Sequence, residues 1–100
     1  MRDISFEAEL WEHEGDGAWH FVTLPAELGE DIRDRMPPRR GFGSVRVEAQ
    51  VGDVTWRTSL FPDSTTGSFV LPMKREVRTR NDLQAGDRVA VRLTILDAPA

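Results

Sequence analysis

Ile4-Ser5-Phe6-Glu7-Ala8-Glu9-Leu10-Trp11 and Val54-Thr55-Trp56-Arg57-Thr58-Ser59-Leu60-Phe61 carry matching residue types slot by slot, fifty residues apart. β-Branched, hydroxyl, aromatic, aliphatic and aromatic residues recur in order. Working outward, Phe21-Val22-Thr23-Leu24-Pro25 echoes Phe69-Val70-Leu71-Pro72, and each is followed by a polar, helix-compatible run. A glycine then opens a last strand in each half, at Gly43-Ser44-Val45-Arg46-Val47 and at Gly86-Asp87-Arg88-Val89-Ala90-Val91. A unit used twice that cannot bury its apolar face alone closes on its copy around a shared core.

The 100 residues make a single domain, with repeat units at about 3–52 and 53–97. A chain of that length buries roughly 65% of its unfolded surface. With 39% hydrophobic and 30% charged residues the pattern is that of a soluble globular protein. There is no cysteine, hence no disulfide framework or zinc ribbon. The start enters an alternating strand at once, without an apolar leader, and no long apolar run follows. A cytoplasmic protein with no membrane partner is expected.

Ile4, Phe6, Ala8 and Leu10 alternate with polar residues, as a strand with one core face does. Gly15-Asp16-Gly17 forms a turn into a second strand over 18–24. A turn centred on Gly15-Asp16 sets Leu10 opposite Phe21 and Trp11 opposite His20. Leu10, Phe21 and Trp19 then face inward, while Trp11, His20 and Val22 face outward; a one-residue slip inverts the assignment. Pro25 opens a helix over 26–35, with Leu28, Ile32 and Met36 on its apolar stripe and Pro37-Pro38 ending it. A loop through Arg39 and Gly43 leads to a strand with Val45, Val47, Ala49 and Val51 inward. Gly52-Asp53 turns into strand four, where Val54, Trp56, Thr58 and Leu60 share a face. A loop of turn formers over 62–67 precedes strand five, 68–71. A second helix over about 74–81 packs through Val77 and Leu83. Val89, Val91, Leu93 and Ile95 form the clearest alternation, in a central last strand, and 97–100 is a frayed end.

The order β-β-α-β, twice over, predicts a mainly β fold with two short helices. It is a pseudo-symmetric six-stranded β-barrel from a duplicated unit, capped by the helices, since closure removes edges that six short strands would expose. In that arrangement the helices are expected to cover Trp11 and Phe61, the matched aromatics outside the core; the alternative is an exposed aromatic patch.

Trp56-Arg57-Thr58-Ser59-Leu60, Gly67, Phe69 through Arg78, and Ala85-Gly86-Asp87-Arg88-Val89-Ala90-Val91 resemble the bacterial domain of unknown function 1905 family. The opening Phe6-Glu7-Ala8-Glu9-Leu10-Trp11 and Trp19-His20-Phe21-Val22 fit its first hairpin. The similarity covers nearly the whole chain and is most specific over 59–89. It implies a double-split β-barrel with helical caps, related in shape to antitoxin and transition-state-regulator barrels that bind DNA as dimers. Members occur alone or beside a bacteriocin-protection-type domain, and a single β-barrel domain is expected here. The resemblance implies no mechanism, and Pro37-Pro38-Arg39-Arg40 extends one connection beyond the family pattern.

Catalytic signals are weak. His13 and His20 flank the first hairpin turn on opposite faces, whereas a metal needs three or four converging ligands, so no metal site is expected. Ser59 lacks a nucleophile elbow and a nearby base, and reads as an outward strand residue. Gly41-Phe42-Gly43 precedes a strand instead of a helix, so the dinucleotide fingerprint fails and no cofactor is expected.

Charge is uneven. Residues 1–16 are strongly acidic, whereas Lys74, Arg75, Arg78 and Arg80 cluster against Glu76. Lys74, Arg75 and Arg78, at the start of the second helix, suit a phosphate, a carboxylate or a nucleic-acid backbone, with Arg57 and Ser59 on strand four as further candidates. The competing interpretation is a solvated helix face paired with the acidic first hairpin. The leading expectation is a non-catalytic binding module for an anionic small molecule or a protein partner. A dimeric DNA-binding regulator is second, disfavoured by the net charge of −4. A small enzyme, which needs a pocket of perturbed titratable groups, is third.

Overall fold

The computed structural model describes residues 3–15, 19–35 and 43–96. Residues 16–17 of the expected turn, the first residue of strand two at 18, the helix end and loop at 36–42 and the tail at 97–100 lie outside the described residues. Six strands and two helices follow in the expected order: β1 Asp3–Glu12, β2 His20–Thr23, α1 Ala26–Arg35, β3 Val45–Val51, β4 Val54–Asp63, β5 Ser68–Pro72, α2 Arg75–Arg80 and β6 Arg88–Ile95. The strands close into an antiparallel barrel in the order β1-β2-β5-β4-β3-β6.

The inward positions follow the period-2 pattern closely. Leu10, Val22, Val47, Ala49, Leu60, Leu71 and Leu93 are wholly buried. Each fully buried aliphatic side chain contributes about 1.5–3 kcal/mol relative to exposure, so these layers dominate the stability of the barrel.

The first hairpin corrects the expected register. Leu10 pairs with Val22, Trp11 with Phe21 and Glu12 with His20, one residue from the register centred on Gly15-Asp16. Val22 therefore points inward, while Phe21 and Trp19 point outward. The interior is filled by Leu, Val and Ile together with Phe6, Phe69 and Met73, and on β2 it is Val22, between its ladder partners Leu10 and Leu71, that takes the inward place. Outside, Trp11 and Phe21 instead pack ring to ring at 5.1 Å, and Trp11 Nε1–H donates to Thr23 Oγ1 at 2.9 Å.

The strand order is unchanged when β1, β2 and β3 are exchanged with β4, β5 and β6. The pairings specify which residues correspond. Trp11↔Phe21 matches Phe61↔Val70, and Glu12↔His20 matches Pro62↔Phe69. Val22↔Leu71 maps onto itself, with Phe21↔Pro72 and Thr23↔Val70 exchanging on either side. Leu24 N–H donates to Phe69 O and Met73 N–H to His20 O, both at 2.9 Å, as the same exchange requires. Structural correspondence thus sets Leu24 against Met73 and Phe21 against Val70. The sequence echo that aligned Phe21 with Phe69 and Pro25 with Pro72 is off by one residue or more.

Two close approaches fix the helices to the barrel. Gly29 of α1 lies on Ser68 of β5, where a Cβ at position 29 would come within 3.1 Å of Ser68 Cα. Ser68 Oγ donates to Leu24 O at 3.0 Å, satisfying the hydroxyl in its buried position. On α2, Asn81 donates through Nδ2 to Val51 O at 3.2 Å and to Val77 O at 3.0 Å. That side chain sits over Gly52, whose φ of 59° forms the two-residue turn between β3 and β4.

Candidate functional site

The helices do not cover the outward aromatics, contrary to the expectation for Trp11 and Phe61. Phe61 is 42% exposed and Trp19 60% exposed, and Trp11 is half-buried. Their strands, β1, β2, β5 and β4, are consecutive in the barrel, so outward side chains from all four share one surface. Trp11, His13, Trp19, Phe21, Phe61 and Val70, with Pro62, Asp63 and Pro72, line a groove of about 480 Å³. It straddles the exchange axis: Trp11 and Phe21 come from one half, their counterparts Phe61 and Val70 from the other.

A second, smaller depression of about 270 Å³ adjoins it, sharing Trp19 and Pro72. Its wall brings together Lys74, Arg75 and Arg78, three of the five residues singled out from the sequence, with His20 and Met73. Pro72 and Met73 end β5 and carry the chain directly into α2, which is why the cations stand at the barrel rim. Arg78 is held in place by Nε–H donation to Met73 O at 3.0 Å. Lys74 Nζ lies 3.8 Å from Glu76 Oε1, and Arg80 lies 3.9 Å from Glu76 Oε2. These exposed pairs within the same short segment contribute at most about 1 kcal/mol each. His20 is 4.0 Å from Glu12 on the neighbouring strand.

Arg57 and Ser59 lie outside the wall of this depression. Both are on β4 opposite β3, where Arg57 faces its ladder partner Glu48 at 4.0 Å and Ser59 pairs with Arg46. His13 and His20 line different depressions, and among the described residues no three His, Cys, Asp or Glu groups converge as metal ligands. Trp19 and Pro72 were missed as site residues, and His20, weighed as a metal ligand, was not placed beside the cations. Pro72 adjoins the cations in the chain, whereas Trp19 and His20 reach them through the β2–β5 pairing, a contact across fifty residues of sequence that neither periodicity nor local motif encodes.

A closed, helix-capped, antiparallel β-barrel with an exterior aromatic groove and a basic rim is the class these features define. The chain belongs to the domain of unknown function 1905 family, whose model matches residues 6–93. No curated protein matches the chain. No helix among the described residues is long and apolar enough to cross a membrane.

Proposed function

We propose that the chain is a non-catalytic binding module that holds an anion at the rim beside α2, working in a bacterial cytoplasm. The observation that carries this reading is the meeting of Lys74, Arg75 and Arg78 on one concave wall beside apolar Trp19, Pro72 and Met73. Guanidinium groups bind phosphate and carboxylate oxygens through paired N–H donors, and an apolar surround strengthens each contact. α2 has only six residues, so the side-chain cations and not the helix dipole carry the attraction. Absence of cysteine supports the intracellular setting. The matched pairings of the two halves support an origin in one duplicated β-β-α-β segment.

Inorganic phosphate titrated against the protein, followed by calorimetry and amide chemical shifts, tests the reading. Perturbations centred on Met73, Lys74, Arg75 and Arg78 are expected. The triple substitution Lys74→Ala, Arg75→Ala, Arg78→Ala should abolish binding while lowering Tm by less than about 8 °C, the equivalent of one lost hydrogen bond. Unfolding of that variant would mark the cluster as structural. Binding of random duplex DNA at low salt, with affinity falling steeply as salt rises, would favour a nucleic-acid regulator.

A further inference from the structure

The aromatic groove and the cationic depression are not separate features. They share Trp19 and Pro72, so a single ligand resting on Trp19 has ring surfaces on one side and cations on the other. The exchange of halves shows what is particular about this location. Lys74, Arg75 and Arg78 correspond to Pro25, Ala26 and Gly29, and Trp19 corresponds to Ser68. In the first half, Gly29 settles directly on Ser68 and leaves no space. In the second, two bulky residues stand where that small pair packs, and a cavity remains open between them.

We infer that the occupant is a free nucleoside monophosphate, its base stacked in the groove at Trp19 and its phosphate held by Lys74, Arg75 and Arg78. This inference rests on the anion-binding reading above and names the ligand class for it. Charge selects the phosphate: Lys74, Arg75, Arg78 and the adjacent Arg80 stand against two nearby carboxylates, Glu76 and Glu12 beside His20, leaving a surplus of two. A phosphate monoester carries about −1.5 to −2 at neutral pH and matches that surplus; a single carboxylate does not. Exposed Trp and Phe rings select a flat π-surface, because bases stack on aromatic side chains whatever their edge pattern. The net charge of −4 selects a single nucleotide over a strand with a phosphate at every step.

Adenosine 5′-monophosphate, adenosine, inorganic phosphate and a short single-stranded oligonucleotide, each titrated against the full chain by calorimetry and tryptophan fluorescence, decide the matter. The nucleotide should bind about tenfold or more tighter than phosphate, the increment expected from one stacked base. Trp19→Ala should reduce its affinity to that of phosphate, and Trp19→Phe should restore most of the difference. Arg75→Ala with Arg78→Ala should reduce it to that of adenosine. Equal affinity for nucleotide and phosphate overturns the inference and leaves the anion-binding reading standing. Absence of binding by both overturns both. An oligonucleotide that binds where the mononucleotide does not, or quenching that depends on protein concentration alone, also overturns it.

Discussion

The first half of the chain, β1-β2-α1-β3, and the second, β4-β5-α2-β6, share one interior and present different exteriors. Inward counterparts keep their chemistry: Leu10 with Leu60, Val22 with Leu71, Leu24 with Met73, Leu28 with Val77 and Val47 with Val89. Outward counterparts diverge. At the helix start Pro25 and Ala26 stand in one half and Lys74 and Arg75 in the other; one turn on, Gly29 faces Arg78. The barrel wall tolerates little change because each inward residue fills volume that its neighbours cannot supply. The rim is free to differ, and beside α2 it opens a cavity. The proposed binding rim lies where the two halves differ.

The interior part of that comparison fails first if it is wrong. Leu10→Ala and Leu60→Ala remove fully buried side chains at corresponding positions. Each should cost about 2–5 kcal/mol, and the two costs should agree within about 1 kcal/mol. Urea unfolding measures both, and clearly unequal losses would mean that the halves are not equivalent cores. A smaller effect separates the rims. Gly29→Ala pushes a methyl group onto Ser68, an overpacking cost of about 1–3 kcal/mol, partly offset by up to about 1 kcal/mol of helix propensity. Arg78→Ala loses its hydrogen bond to Met73 O, about 1 kcal/mol. Gly29→Ala should therefore lower Tm with phosphate binding intact, whereas Arg78→Ala should weaken phosphate binding more than it lowers Tm.

What could be read in advance follows the same division. Strand and helix positions and barrel closure were legible, because alternation over Val45–Val51 and Arg88–Ile95 and the proline before α1 are local signals. The start of β2 was not. Trp19 and Phe21 are apolar, and periodicity alone assigns them inward just as readily as Val22; the pairing of Val22 with Leu10 and Leu71 sets the parity the other way. The basic cluster was legible as charge. Its concavity was not, since it depends on Trp19 and His20 arriving from β2. Arg57 has the same sign as the cluster, yet it lies on β4 opposite Glu48 of β3, outside the wall of the depression.

The helices themselves differ in length, ten residues against six, and the reason lies at one corresponding pair. Where α1 buries Ile32 and continues, α2 has Asn81, whose amide is occupied by Val51 O and Val77 O. The chain then turns at Asp82, with φ of 54°. Asp82 N–H donates to Thr79 O and Leu83 N–H to Arg78 O, the bonding that closes a helix through a left-handed residue. An L-residue there costs about 1–2 kcal/mol of steric strain, less for Asp than for most. Asp82→Gly relieves that strain at some cost in unfolded-chain entropy, so a net gain of about 0.5 kcal/mol is expected, near 2–4 °C in Tm. Asp82→Val should lose stability instead. If both variants melt as the parent does, the left-handed turn is not what stops α2, and the contrast with α1 must rest on Asn81 alone.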